Sequence, residues 1–262
     1  MNLGRVKTFL IVLFLGINVY LLLSTALSSE FVIDDKTVEN TISILNSANI
    51  SIDKAAIPKN CKNIKNIETV NTVYKENLKN ANVSKLFKID GDRFTCKVKS
   101  GIYKDGDKKI VKEVKSFLAD CGFDTGFMNF SPVKTKNGKK TFSITCSVKG
   151  FKVFDSVIDV CVTNGAFTLD GVWYEPQSTS VMSKSTSRKN VYVTSVLIDF
   201  SANEKVKSLA PLAVKSVEQG YMSGSIYGKT GHLTATALPY YRITDSKGNV
   251  YYYDAQDGTY LN

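Results

Sequence analysis

The sequence predicts an α+β protein: an N-terminal transmembrane helix followed by antiparallel β-sheet modules, each packed with a helix. Three observations carry this expectation. The stretch Thr8–Leu27 is apolar, with Asn18 its only strongly polar member. Segments such as Arg93–Lys99 alternate polar and apolar residues, the period of a half-buried strand. Lys108–Cys121 instead repeats Ile110, Val111, Val114, Phe117 and Leu118 at helical spacing.

Twenty helical residues rise about 30 Å, enough to cross the hydrocarbon layer of a bilayer. Arg5 and Lys7 precede the span and Glu30, Asp34 and Asp35 follow it. That asymmetry predicts residues 1–7 in the cytoplasm, residues 8–27 as a single membrane pass, and the bulk outside the cytoplasm. A cleaved signal peptide is the competing reading, because Ser24-Thr25-Ala26 and Ala26-Leu27-Ser28 offer small residues to a peptidase. The apolar core from Phe9 to Leu23 is long for a signal, so a retained anchor is preferred. Inside the span, an amide without a partner is costly, and interhelical hydrogen bonds are worth roughly 0.6 to 2 kcal/mol. The expected contact seam is Phe14, Asn18, Leu21 and Leu22, with Gly16 off that stripe. The alternative is that Asn18 satisfies itself on its own i−4 carbonyl.

Beyond the anchor, Asp34 or Asp35 caps a predicted helix reaching Asn49, with Val38, Ile42 and Leu45 as its apolar stripe. Residues 50–90 are rich in lysine and asparagine, with short elements such as Ile67–Leu78. After the strand Arg93–Lys99 and the helix Lys108–Cys121, Gly122 stands where a helix takes its C′ glycine. A hairpin follows, with Lys136-Asn137-Gly138-Lys139 as its turn. In Phe151–Thr163 the alternation fails midway, which predicts a bulge near Asp155. Asn164-Gly165 then turns into the strand Ala166–Tyr174. Residues 28–176 thus form an expected first module, the serine- and lysine-rich residues 177–190 a linker, and 191–262 a second module.

The start of that second module reads two ways. Ser201-Ala202-Asn203-Glu204 spells a capping box, but Pro211 would then sit inside the helix at a cost of about 3 kcal/mol. The preferred reading begins a helix at Thr194, buries Val196, Leu197 and Phe200, and resumes as the strand Leu212–Met222. His232–Thr244 and Asn249–Asp254 form a hairpin around Asp245–Asn249. Its tyrosines, Tyr240, Tyr241, Tyr251, Tyr252 and Tyr253, put alternate rings on opposite sides. Tyr240, Arg242, Tyr251 and Tyr253 are therefore a candidate interaction face, with core filling as the competing use.

Composition narrows the function. Residues 59–115 hold fifteen Lys or Arg against seven Asp or Glu. A basic block fits an anionic partner, here lipid headgroup, an anionic envelope polymer or an acidic protein face, or it merely solvates exposed strands and a helix face. No nucleic acid is expected, because Tyr103 alone interrupts the lysines of 97–109 and stacking platforms need more. The five cysteines, at 61, 96, 121, 146 and 161, form no C-x-x-C pair and read as reduced, partly buried small hydrophobes. His232 is the only histidine and no catalytic or phosphate-binding motif is present. No enzyme activity, metal or cofactor is expected. An enzyme using carboxylates, or an envelope-polymer binder using the basic surface, remains the alternative.

Two stretches resemble the YycI (WalI) family: Arg5-Val6-Lys7-Thr8-Phe9-Leu10 ahead of a span with Asn18, and Leu238-Pro239-Tyr240-Tyr241-Arg242-Ile243 followed by Gly248, Val250, Tyr251-Tyr252-Tyr253, Ala255 and Gly258. Gly220-Tyr221 fits that family's Gly-Tyr strand end. Tyr240 or Tyr241 stands where a tryptophan is common, Asp254 stands where Asn is usual, and residues 50–180 carry no family pattern. The resemblance implies a YycH/YycI-like fold and a non-enzymatic, membrane-anchored accessory protein. Its implied partners are a YycH-like protein and, through transmembrane helices, a sensor histidine kinase of WalK type that controls cell-wall metabolism.

Overall fold

A computed structural model describes residues 13–19, 30–74, 85–104, 106–177, 189–223 and 234–261. Residues 13–19 are helical and exposed at all seven positions. The rest of the expected span, including Leu21 and Leu22, lies outside the described residues, as do His232 and most of the expected linker. Among the described residues, no helix is long and apolar enough to cross a membrane.

In chain order the first elements are β1 (Glu30–Val32), α1 (Asp35–Ser47), β2 (Ile50–Ile52), β3 (Asn60–Lys62), β4 (Ile67–Asn71), β5 (Phe87–Asp90), β6 (Arg93–Ser100) and α2 (Asp107–Asp120). There follow β7 (Met128–Phe130), β8 (Lys134–Lys136), β9 (Lys139–Val148), β10 (Phe151–Thr163), β11 (Gly165–Val172) and β12 (Tyr174–Pro176). The last are α3 (Val193–Ala202), α4 (Glu204–Lys207), β13 (Leu212–Met222), β14 (Thr234–Asp245), β15 (Val250–Asp254) and β16 (Tyr260–Leu261). The protein is thus α+β and dominated by a large sheet.

The chain divides into two compact units, one from Met1–Ile64, Lys189–Val217 and Ile243–Val250, the other from Lys65–Arg188, Glu218–Arg242 and Tyr251–Asn262. This corrects the expected succession of modules 28–176 and 191–262, since the last seventy residues contribute to both units. The sheet is also mixed rather than purely antiparallel: β13 pairs in parallel with β2 at Leu212↔Ile50 and with β10 at Lys152↔Gly220.

In the first unit Asp34 caps α1, its carboxylate accepting from the Thr37 N–H at 2.9 Å. Val38, Thr41 and Leu45 are its buried positions, not Ile42, which is only half-buried. α1 packs on α3, which buries Val196, Leu197 and Phe200. Asn203 caps the short α4, accepting from the Lys205 N–H at 2.9 Å. Pro211 then stands ahead of β13, where no helix needs its missing N–H.

In the second unit α2 covers one face of β5, β6 and β11. It buries Ile110, Val114 and Leu118. Phe117 lies edge-on to Phe167, centroids 5.5 Å apart, and stacks on Phe87. The helix ends in a Schellman pair: the Gly122 N–H donates to Ala119 O and the Phe123 N–H to Leu118 O, with Gly122 at φ +89°. Asn137 and Gly138 both take positive φ, the turn that matches strand twist in a two-residue hairpin. The irregularity near Asp155 is real, lying between Lys152↔Ser147 and Val157↔Thr145. It marks where β10 leaves β13 on one side and takes β11 instead.

Candidate functional site

Along β9, β10, β11 and β6 the period of two buries one face and leaves the other polar. Ser143, Asp159, Asp170 and Thr95 stand directly opposite one another across the four strands. Two carboxylates at facing positions repel. Arg93 offsets this by gripping Asp170 with two bonds of 2.8 Å, and Ser143 donates to Asp159 at 2.7 Å. The Asp170 bonds push the Arg93 guanidinium up. An open groove of about 480 Å³ lies over this face, walled by Ser131, Pro132 and Lys134 on one side. Asp155, at the bulge, accepts from the Ser223 backbone and hydroxyl at 2.9 and 2.8 Å.

A second cluster forms where β10, β13, β14 and β15 carry Lys152, Glu218, Arg242 and Tyr252. The Glu218 carboxylate accepts from Lys152 Nζ at 2.7 Å, from Arg242 Nε at 3.1 Å, and from Arg242 Nη2. Burial works to raise the Glu218 pKa, but the bonds from Lys152 and Arg242 outweigh it and hold the carboxyl below its ordinary value. Arg242 lies over the Phe154 ring, 4.4 Å from its centroid, a stacking geometry suited to a guanidinium. Phe154 can lie this deep because residue 220 is glycine: a Cβ there would meet Phe154 Cζ and Lys152 O at 2.5 Å. Burial pushes the Tyr252 hydroxyl up, while Arg242 beside it works the other way.

These contacts correct the candidate interaction face. Tyr240, Tyr251 and Tyr253 are buried, at 2, 6 and 1% exposure, and so is Tyr241. The rings do alternate, but both sides of β14 are covered, and Tyr240 packs with Phe154 and Met222. Tyr253 lies 5.2 Å from Tyr260. Arg242 stays half-buried and stacks on Phe154. Lys152, Phe154 and Glu218 had no sequence signal as a group, since Lys152 and Glu218 are 66 positions apart and Glu218 and Arg242 are 24 apart.

Of the expected membrane seam, Phe14 and Asn18 are described, and Asn18 Nδ2 donates to Phe14 O at 2.8 Å. The i−4 bond considered as the alternative is therefore made. In the first unit, a groove of about 440 Å³ between α1 and α3 exposes Val32, Ile44, Tyr192 and Ile198. Among the described residues, no three of His, Cys, Asp and Glu are grouped so as to hold a metal ion. Burial pushes the Cys121 thiol up to about 11 and the Cys96 and Cys146 thiols up to about 12, which leaves them poor nucleophiles at neutral pH.

No protein-family model matches the chain, and no curated protein matches it. Among solved structures, it is similar to an uncharacterized protein from Eubacterium rectale at 10% identity, covering 84% of this chain and 98% of that one, with a TM-score of 0.45. It is also similar to the Bacillus megaterium YpeB C-terminal domain at 8% identity, covering 88% and 97%, with a TM-score of 0.32. Scores of this size do not establish a shared fold.

Proposed function

We propose that this chain is a membrane-anchored, non-enzymatic accessory protein of YycI type that modulates a WalK-type sensor histidine kinase together with a YycH-like partner. The observation that carries the reading is the helix at residues 13–19. Leu13, Phe14, Leu15, Ile17 and Val19 are all exposed, between 47 and 69%. A helix that exposes apolar side chains on every side, Asn18 being its one polar member, is at home in hydrocarbon rather than in water. The residues that resemble the family at the C-terminus support it further, since they occupy two paired strands, β14 and β15, with Gly248 in the turn between them.

In this reading the membrane helix and the outer portion carry the signal. An amide has two N–H donors and a carbonyl acceptor, so the bond from Asn18 to Phe14 does not exhaust it. The proposed seam of Phe14, Asn18, Leu21 and Leu22 still has a polar group to offer the kinase helix. The groove beside Val32, lined by Val32, Ile44 and Ile198 together with Asp34, Thr37 and Asn40, lies close to the span in sequence: five residues from Leu27 reach at most about 18 Å. That distance suits the membrane-proximal helix of the same kinase. In-cell crosslinking of wild type and Asn18→Leu, at matched expression, tests the seam. The expected result is full membrane insertion with severalfold weaker crosslinking to the kinase; unchanged crosslinking would remove Asn18 from the contact.

A further inference from the structure

The lysines of α2 are arranged at a cost to the helix. Lys108, Lys112 and Lys115 are exposed and fall within an arc of about 60° on the side opposite the buried Ile110, Val114 and Leu118. Lys108 and Lys112 are four residues apart, where like charges repel. Lys108 and Lys109 also sit in the first turn, next to the positive end of the helix dipole. Its N-cap is Gly106, which contributes no side-chain bond. Asp107 is turned to Lys140 at 3.4 Å, and Glu113 accepts from the Ser100 hydroxyl at 3.1 Å. Among the described residues, no ion pair involves Lys104, Lys108, Lys112 or Lys115. A merely solvated face would not need three cations in one line, with no acid interleaved.

We propose that this stripe binds a linear polyanion, a chain of phosphate-type groups laid along the helix axis. Lys108 to Lys115 spans about 10 Å, and Lys104, also exposed, precedes the helix in sequence. The shape distinguishes a polymer from a membrane. Lys109 lies beside the stripe and Asp120 and Glu113 follow within about 40° of Lys109, so the cationic face ends there, whereas a planar anionic bilayer would press against those acids as well. Nucleic acid is disfavoured because the exposed face of the helix offers Lys, Ser116 and Ala119 but no ring on which a base could stack. Binding of this kind is electrostatic and weakens steeply with salt, each engaged lysine steepening the dependence.

The test uses the full chain in nonionic detergent and fluorescently labelled inorganic polyphosphate, read by anisotropy over a salt series. The variant is Lys108→Gln with Lys112→Gln and Lys115→Gln; the control removes the same charge at scattered exposed sites, with Lys88→Gln, Lys215→Gln and Lys247→Gln. The stripe variant is expected to bind at least about tenfold more weakly near 0.1 M salt, with the slope of log affinity against log salt reduced by about two. The control should stay within about twofold of wild type. The melting temperature of the stripe variant should not fall, since repulsion is removed and glutamine suits a helix. Equal losses in both variants would reduce the effect to net charge and overturn the proposal. So would an absence of polyphosphate binding, tighter binding to phosphatidylglycerol nanodiscs than to polyphosphate, or a preference for single-stranded DNA. None of these outcomes depends on whether a kinase associates with the chain.

Discussion

Glu218 is the residue on which the second polar cluster turns. Its carboxylate takes bonds from Lys152 and from both arms of Arg242, and it is only 32% exposed. Because its folded pKa lies below the unfolded value, the stabilisation is complete above about pH 4.3 and is lost as pH falls through the folded value. Glu218→Gln should therefore cost about 1–2 kcal/mol at pH 7 in denaturant unfolding, with the difference from wild type closing towards pH 3. A constant difference down to pH 3 would assign the cost to shape rather than charge. The cysteines give a second test at this scale. Cys61, Cys96, Cys121 and Cys146 are buried and Cys161 is half-buried. A thiol reagent such as dithiobisnitrobenzoate should titrate one group in the native protein and five after denaturation. Rapid reaction of two or more native thiols would contradict that burial.

At the scale of elements, patterns that act within a few residues were legible in advance. The α2 stripe, its C′ glycine, the Asn137-Gly138 turn and the bulge of β10 all follow from local rules and are found in place. The start of α3 and the strand after Pro211 follow as well, because proline excludes the competing continuous helix. What sequence could not supply is pairing across distance. Nothing local says that β13 runs parallel to β2 and β10, that the last seventy residues divide between two units, or that both sides of β14 are covered. The tyrosines therefore read as a possible outer face when they are core. Gly220 shows how such pairing acts on one element: its missing side chain admits the Phe154 ring against β13. Gly220→Ala should destabilise the fold by about 1–3 kcal/mol, measured by urea unfolding. A neutral substitution would mean that β13 and Phe154 can move apart freely.

At the scale of the whole molecule, several carboxylates among the described residues pair with neighbouring donors. Arg93 answers Asp170, Ser143 answers Asp159, and Ser223 answers Asp155, which ties carboxylates into the sheet surface. Such carboxylates brace strands, and the proposed role is action by contact with membrane partners. Purification of the tagged full chain from detergent-solubilised membranes, with everything retained identified by mass spectrometry, tests this most directly. The expected result is the chain at full mass, held together with a sensor histidine kinase and a second single-span protein. Recovery of the chain alone from the soluble fraction, starting at Leu27 or Ser29, would contradict it.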